Sequence, residues 1–99
     1  MSERETRRIL GEQSQVLATA EYLDGKLDGV SRVYTPGGTL IQEMHYLHGQ
    51  LNGPYRAWWD NGFLKESGEY ADGQRVREYR WYKEDGTLMQ LHTYVATQG

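Results

Sequence analysis

The chain has 99 residues and a formal net charge of −3, with acidic and basic side chains interspersed, and a chain this short is not expected to enclose a large active site. This charge balance argues against nucleic acid or an anionic membrane as a partner, and no apolar run approaches the about 20 residues of a membrane-spanning helix. The sequence has no cysteine, which excludes disulfides and thiolate metal sites and fits a cytoplasmic protein.

The N-terminal segment, residues 1–13, carries a weak helix signal. Ser2 is followed three residues later by Glu5, which is the spacing of a capping box, and Ile9 and Leu10 supply a thin apolar face. Two interpretations stay open: a short helix that caps the first strand, or a disordered tail.

Residues 14–95 form a repeat domain with a period of 24 residues. The segment at 46–70, YLHGQLNGPYRAWWDNGFLKESGEY, overlays the segments before and after it, which places repeats at about 22–45, 46–69 and 70–94 and a C-terminal tail at 96–99. Tyrosine, glycine, a second aromatic residue and leucine recur in register: Tyr22, Tyr46, Tyr70 and Tyr94; Gly25, Gly49 and Gly73; Tyr34, Trp58 and Tyr82; Gly38, Gly62 and Gly86; Leu40, Leu64 and Leu88. Such self-similarity predicts stacked units, each burying its apolar face against its neighbours.

Within each repeat the pattern is that of a β-hairpin. Apolar residues alternate along the strand that starts at Val16, and glycines follow small or polar residues at most turns: Asp24-Gly25, Gly37-Gly38, Asn61-Gly62, Asp72-Gly73 and Asp85-Gly86. Gly29 and Gly53 mark a bulge or a close backbone approach, and Arg77 replaces them in the last repeat, which we interpret as an end cap. The prediction is an all-β fold, a single-layer twisted antiparallel meander of about seven strands.

The spacing Y-x-x-G-x-x-x-G, then an aromatic residue, then (N/D)-G-x-L, resembles the MORN repeat, in particular its bacterial variant. YLHGQLNGPYRAWWDNGFLKESGEY and YLDGKLDGVSRVYTPGGTLIQEMHY show the pattern best, and YADGQRVREYRWYKEDGTLMQLHTY departs from it at Arg77. The resemblance implies an elongated sheet of stacked hairpins that serves as an interaction or assembly scaffold. It also implies similarity to the YwqK family of antitoxin-like proteins, and it brings no catalytic residue and no cofactor.

Few residues suggest chemistry. His45, His48 and His92 do not have the spacing of a metal site, which needs about four ligands, so we expect no metal. Arg32, Arg56 and Arg80 recur in register, and we expect them to form a ladder that finds acceptors at Glu66 and its equivalents Gln42 and Gln90 and stacks on Tyr34, Trp58 and Tyr82. The alternative is an anion-binding groove. No catalytic constellation is present, so we expect no enzyme activity.

The aromatic residues are the strongest functional signal. Tyr34, Trp58 and Tyr82 repeat strictly and are expected to stack between units. Tyrosines and tryptophans that depart from the repeat are free for a partner, and with two arginines they form the predicted contact set: Tyr55, Arg56, Trp59, Tyr79, Arg80 and Trp81. The equally weighted alternative is that these aromatic residues thicken a thin core near the C-terminal end.

These observations predict a non-enzymatic protein-binding module. By the family resemblance, the module can be an antitoxin or immunity protein that blocks a toxin through one face of its sheet. The alternative is a structural scaffold that self-associates through sheet edges or repeat ends, and an open sheet also favours a homodimer.

Overall fold

The computed structural model describes residues 2–95, which form nine β-strands and no helix. The strands are β1 Arg4–Leu10, β2 Val16–Leu23, β3 Lys26–Tyr34, β4 Leu40–Leu47, β5 Gln50–Leu51, β6 Gly53–Trp58, β7 Leu64–Ala71, β8 Gln74–Tyr82 and β9 Leu88–Tyr94. Their hydrogen-bonded order follows the chain, β1-β2-β3-β4-β6-β7-β8-β9, and β5 pairs with β4 just before β6 does. The predicted antiparallel meander is confirmed. No helix in this range is long and apolar enough to cross a membrane, and the predicted tail at 96–99 lies outside the described residues.

The sheet is a single layer. The described residues extend 39 × 37 × 13 Å, and the shortest extent leaves no room for a second sheet, because stacked sheets pack about 10 Å apart. Only two apolar residues of the described range are buried, Ala57 and Tyr79. Stability must therefore come largely from the ladder of backbone hydrogen bonds and from side chains that pack along each face.

Two kinds of turn alternate along the meander. At one end of the sheet three two-residue turns, Asp24-Gly25, His48-Gly49 and Asp72-Gly73, have positive φ at both positions, which is the type I′ geometry that matches strand twist. At the other end of the sheet, the glycine that ends each predicted turn pair has a positive φ. In the pair Gly37-Gly38, for example, Gly38 has a φ of 94°. The two turn types explain why the glycines alternate between two spacings.

The N-terminal segment is a strand, so both the helix and the disordered tail were wrong for residues 4–10. Arg8 stands one period before Arg32, and the turn after β1 repeats the bonds of the later turns: Gly11 N donates to Gln15 O at 2.8 Å, as Thr35 N does to Thr39 O at 2.8 Å. Ser14 holds a φ of 62° where the later copies have glycine. Antiparallel pairing with β2 extends from Arg4 to Leu10, and it outweighs a two-residue capping signal. The chain thus contains a fourth, partial repeat.

The glycines inside the repeats lie in bulges, as predicted. Gly29 and Gly53 have φ values of 111° and 113°, and a Cβ at Gly29 would lie 2.6 Å from an oxygen of Glu21. Arg77 occupies the same place in the third repeat with a φ of 59°, which is strained for a residue with a side chain. The bulge therefore persists where the glycine is missing.

Cross-strand register divides the side chains between two faces. One row, in which each residue lies opposite the next from β1 to β9, contains Arg8, Thr19, Arg32, Glu43, Arg56, Ser67, Arg80 and Leu91. We call this side the arginine face. The opposite side, which we call the aromatic face, carries Tyr55, Tyr70, Tyr79, Trp81 and Tyr94. Within the single chain neither face is covered by a second layer.

Candidate partner-binding face

Tyr79 is the centre of the aromatic face. Its side chain is 0% exposed, because four rings surround it: the centroids of Tyr55, Tyr70, Trp81 and Tyr94 lie 6.3, 6.1, 4.8 and 6.4 Å away. Space for the ring comes from Gly68 on β7, where a Cβ would lie 2.0 Å from a ring carbon. A missing side chain on one strand therefore admits a tyrosine from the next.

Polar contacts hold the cluster in place. The Tyr79 hydroxyl donates to Glu66 Oε1 at 2.6 Å, and Arg75 lies over the Tyr79 ring with its guanidinium carbon 4.5 Å from the centroid. Arg75 also donates to the hydroxyls of Tyr70 at 3.2 Å and Tyr94 at 3.3 Å. Burial raises the pKa of Tyr79, and the bond to Glu66 raises it further. The tyrosine thus stays neutral, and the positive charge of this face is carried by Arg75.

Beside this cluster a cleft of about 650 Å³ opens at the turn between β6 and β7. Its lining includes Tyr55, Ala57, Trp59, Asp60, Glu66 and Glu84. The cleft exists where Ala57 replaces the larger residues of the other copies, Val33 and Trp81. The small side chain of Ala57, itself 7% exposed, leaves space that the larger residues of the other copies would fill.

Trp59 forms a fixed wall of the cleft. Its indole Nε1 donates to the backbone oxygen of Tyr82 at 3.2 Å, which sets the plane of the ring. The ammonium nitrogen of Lys65 lies 4.7 Å from the ring centroid, a cation–π distance. Trp59 is only partly exposed, and its hydrogen bond restrains the orientation of the ring.

The predicted contact set does not lie on one face. Tyr55 and Trp81 are partly exposed on the aromatic face, and Trp59 opens into the cleft on that side. Tyr79 has no exposed surface and is core, as the alternative interpretation proposed. Arg56 and Arg80 lie on the arginine face, since they alternate with the residues that pack on the other side.

The arginine ladder exists, but its predicted acceptors were wrong. Arg32 Nε pairs with Glu43 Oε2 at 2.9 Å, and Arg80 pairs with Glu78. The expected acceptors, Glu66, Gln42 and Gln90, all lie on the opposite face of the sheet, opposite Ala57 or Trp81. Bulges next to Trp58 and its equivalents shift the parity of the strands, which alternation counted along the sequence cannot show.

The expected stacking of Tyr34, Trp58 and Tyr82 was also wrong. The ring pairs within residues 2–95 join tyrosines of the aromatic face to one another, or join one of these tyrosines to Trp81 or His92. The strictly repeated positions lie at strand ends beside the turns, where they do not reach one another's rings.

Residues 2–95 contain no group of three or more His, Cys, Asp or Glu that could hold a metal ion. His48 instead belongs to a structural contact: its backbone N–H donates to Asp28 Oδ2 at 3.1 Å, and Arg4 donates to Asp28 Oδ1 at 2.9 Å. These two bonds, the backbone one first, hold the pKa of Asp28 below its ordinary value. Asp28 thus links β1, β3 and the turn after β4 across the repeat boundary.

Sequence analysis missed Gly68 and Arg75 as residues that shape the aromatic face. Gly68 stands where the neighbouring copies have Met44 and His92, and Arg75 stands where they have Leu27 and Leu51. Both departures are visible once the copies are aligned. Glycines were interpreted as turn or bulge residues, so the use of Gly68 as space for a ring on the next strand was missed.

Comparison with known proteins agrees with this repeat architecture. The family model of the MORN repeat variant matches residues 27–48 and 78–96. No curated protein and no solved structure matched the chain. The two family matches cover strands from both the first and the last full repeats, and they support a MORN repeat protein.

Proposed function

We propose that the chain is a non-enzymatic module that binds a partner protein against its aromatic face. MORN repeats are generally protein- or membrane-binding modules, and two segments of this chain match the MORN repeat variant. The observation that carries the proposal is the pair of partly exposed rings, Tyr55 and Trp81, beside the buried ring of Tyr79, with the partly exposed Trp59 in the adjoining cleft.

This surface has the properties of an energetic centre in a protein interface. Aromatic and arginine side chains dominate such centres, and here Arg75 lies over two rings, with its guanidinium carbon 4.5 Å from the centroid of Tyr79 and 5.6 Å from that of Trp81. The Trp59 ring is held by its bond to Tyr82, so a partner orders little that is not already ordered. An open single-layer sheet offers this area without a conformational change.

The finer role that we propose is that of a bacterial antitoxin or immunity protein acting in the cytoplasm. Its support is the resemblance of the repeats to the YwqK family together with a surface that needs only shape and charge complementarity to block a toxin. Co-expression with the captured partner tests this role. The chain should restore growth to cells that the partner alone inhibits, and a partner without toxicity would contradict it.

Affinity capture from the native lysate, followed by size-exclusion chromatography with light scattering, tests the binding function. The wild-type bait should retain one stoichiometric protein, the Trp59→Ala bait should lose it, and the Arg56→Ala bait, altered on the opposite face, should keep it. Retention by the Trp59→Ala bait at wild-type yield would contradict binding through the aromatic face.

Self-association is the second candidate function, and one observation favours it. Edge strand β1 carries four charged residues among seven, whereas edge strand β9 carries none. Leu88, Met89 and Leu91 on β9 are 51%, 57% and 47% exposed. Charged edges discourage pairing with other chains and uncharged ones permit it, so a second copy would add along β9.

A further inference from the structure

The cleft beside Ala57 has an excess of negative charge next to an aromatic wall. Three acidic residues line it, Asp60, Glu66 and Glu84, together with one lysine, Lys65. Glu66 accepts the Tyr79 hydroxyl and pairs with Arg75, whose Nη2 lies 3.9 Å from Glu66 Oε1, and its side chain keeps 18% of its surface exposed. With Glu66 paired to Arg75, the two acidic residues Asp60 and Glu84 still outnumber the single lysine of the cleft lining, Lys65.

The face of the Trp59 ring already holds a cation. The Lys65 ammonium lies 4.7 Å from the ring centroid, although Lys65 itself is exposed and is not held by an ion pair in the described residues. An exposed lysine side chain changes rotamer at small cost, so its ammonium can leave the ring. The chain's own lysine thus shows what kind of group this wall accepts.

We infer that the cleft is a subsite for a lysine side chain of the partner polypeptide, which replaces Lys65 over the Trp59 ring. The incoming ammonium would meet the ring and the carboxylates of Glu66 and Asp60, while its methylene stem would lie along the apolar surface of Tyr55 and Ala57. This inference rests on the proposed function and names the chemistry of the partner at one point of the aromatic face.

A short peptide tests the subsite without the partner. The probe is acetyl-Gly-Lys-Gly-amide, titrated into the wild-type protein while the indole N–H resonance of Trp59 is followed by NMR, and the control is the same peptide with an acetylated lysine. The lysine peptide should shift this resonance to saturation with a dissociation constant on the order of millimolar, and acetylation should weaken binding at least about tenfold. Equal binding of both peptides, or no saturable shift, would overturn the subsite.

A pair of lysine variants separates replacement of Lys65 from a general charge effect. Lys65→Met removes the competing ammonium and keeps the stem, whereas Lys83→Met removes the same charge from an exposed position outside the cleft lining. Lys65→Met should tighten binding of the lysine peptide several-fold, and Lys83→Met should change it less than about twofold. Equal effects of the two variants would show that only net charge matters, and the replacement would be refuted.

Failure of the subsite and failure of the proposed function give different results. If the lysine peptide does not bind but partner capture still depends on Trp59, the subsite is refuted and the binding face remains. If the peptide binds but no partner is retained, the protein-binding function fails while the cation subsite stands.

Discussion

Gly68→Ala tests how the aromatic face is built. A Cβ at this position would lie 2.0, 2.3 and 2.7 Å from three carbons of the Tyr79 ring, distances that real contacts do not reach. The ring is fully buried among other rings and cannot shift far without losing its bond to Glu66. Alanine at position 68 must therefore displace Tyr79 from the cluster.

The expected cost follows from what Tyr79 loses. Truncating a buried aromatic residue to alanine costs about 3 to 5 kcal/mol, and overpacking at Gly68 should cost about 1 to 3 kcal/mol. In a Tyr79→Ala background the ring is gone, and Gly68→Ala should then stabilise by about 0.5 to 1 kcal/mol, because glycine weakens a strand interior. The same substitution thus changes sign between the two backgrounds.

Urea unfolding followed by far-UV circular dichroism measures the four free energies of this cycle. Gly37→Ala is the matched control, since a Cβ there would meet nothing closer than an atom of Thr35 at 3.8 Å and should leave stability nearly unchanged. If Gly68→Ala costs the same with and without the Tyr79 ring, the two residues are not coupled, and our account of the cluster is refuted.

Three further predictions concern the bulge, the repeat boundary and the free edge. Arg77→Gly should be about 1 kcal/mol more stable than Arg77→Ala, because both remove the guanidinium and only glycine relaxes the φ of 59°; equal stability by urea unfolding would contradict this. The pKa of Asp28 is lowered by its bonds to His48 and Arg4, so its contribution to stability is present above about pH 4 and lost as pH falls through its folded-state value. Asp28→Asn should therefore be destabilising at pH 7 and progressively less so in acid, and a pH-independent difference would refute the role of the charge. Leu91→Lys should abolish any concentration-dependent dimer seen by light scattering; persistence of the dimer would exclude pairing along β9.

The period of the sequence predicted most of the fold. Tyrosine and glycine in register located the strands and turns, and the turn chemistry of Asp24-Gly25 and Asp72-Gly73 was right in detail. The partial repeat at the N-terminus was missed because its turn uses Ser14 where the others use glycine. Arg8, one period before Arg32, still indicates the repeat, but a single matching residue is not enough to predict it.

The candidate face was predictable only in part. Departure from the repeat singled out Tyr55, Trp59 and Trp81; Tyr55 and Trp81 pack against Tyr79, and contact of the three with a partner stays a prediction. Alternation along β6 already separates Tyr55 from Arg56, but the side on which Trp59 lies could not be predicted, because the bulge beside Trp58 changes which face the following residues occupy. Parity counted along a strand holds only as far as the next bulge, and bulges depend on pairing with the neighbouring strand.

Calorimetric titration of the captured partner against wild type, Trp59→Ala and Arg56→Ala tests the central claim most directly. Arg56 lies on β6 and Trp59 directly follows that strand, with the two side chains on opposite sides, so the pair reports on the face rather than on the fold. We expect Trp59→Ala to weaken binding at least about tenfold and Arg56→Ala to change it less than about twofold. The reverse order, or equal losses, would contradict binding through the aromatic face.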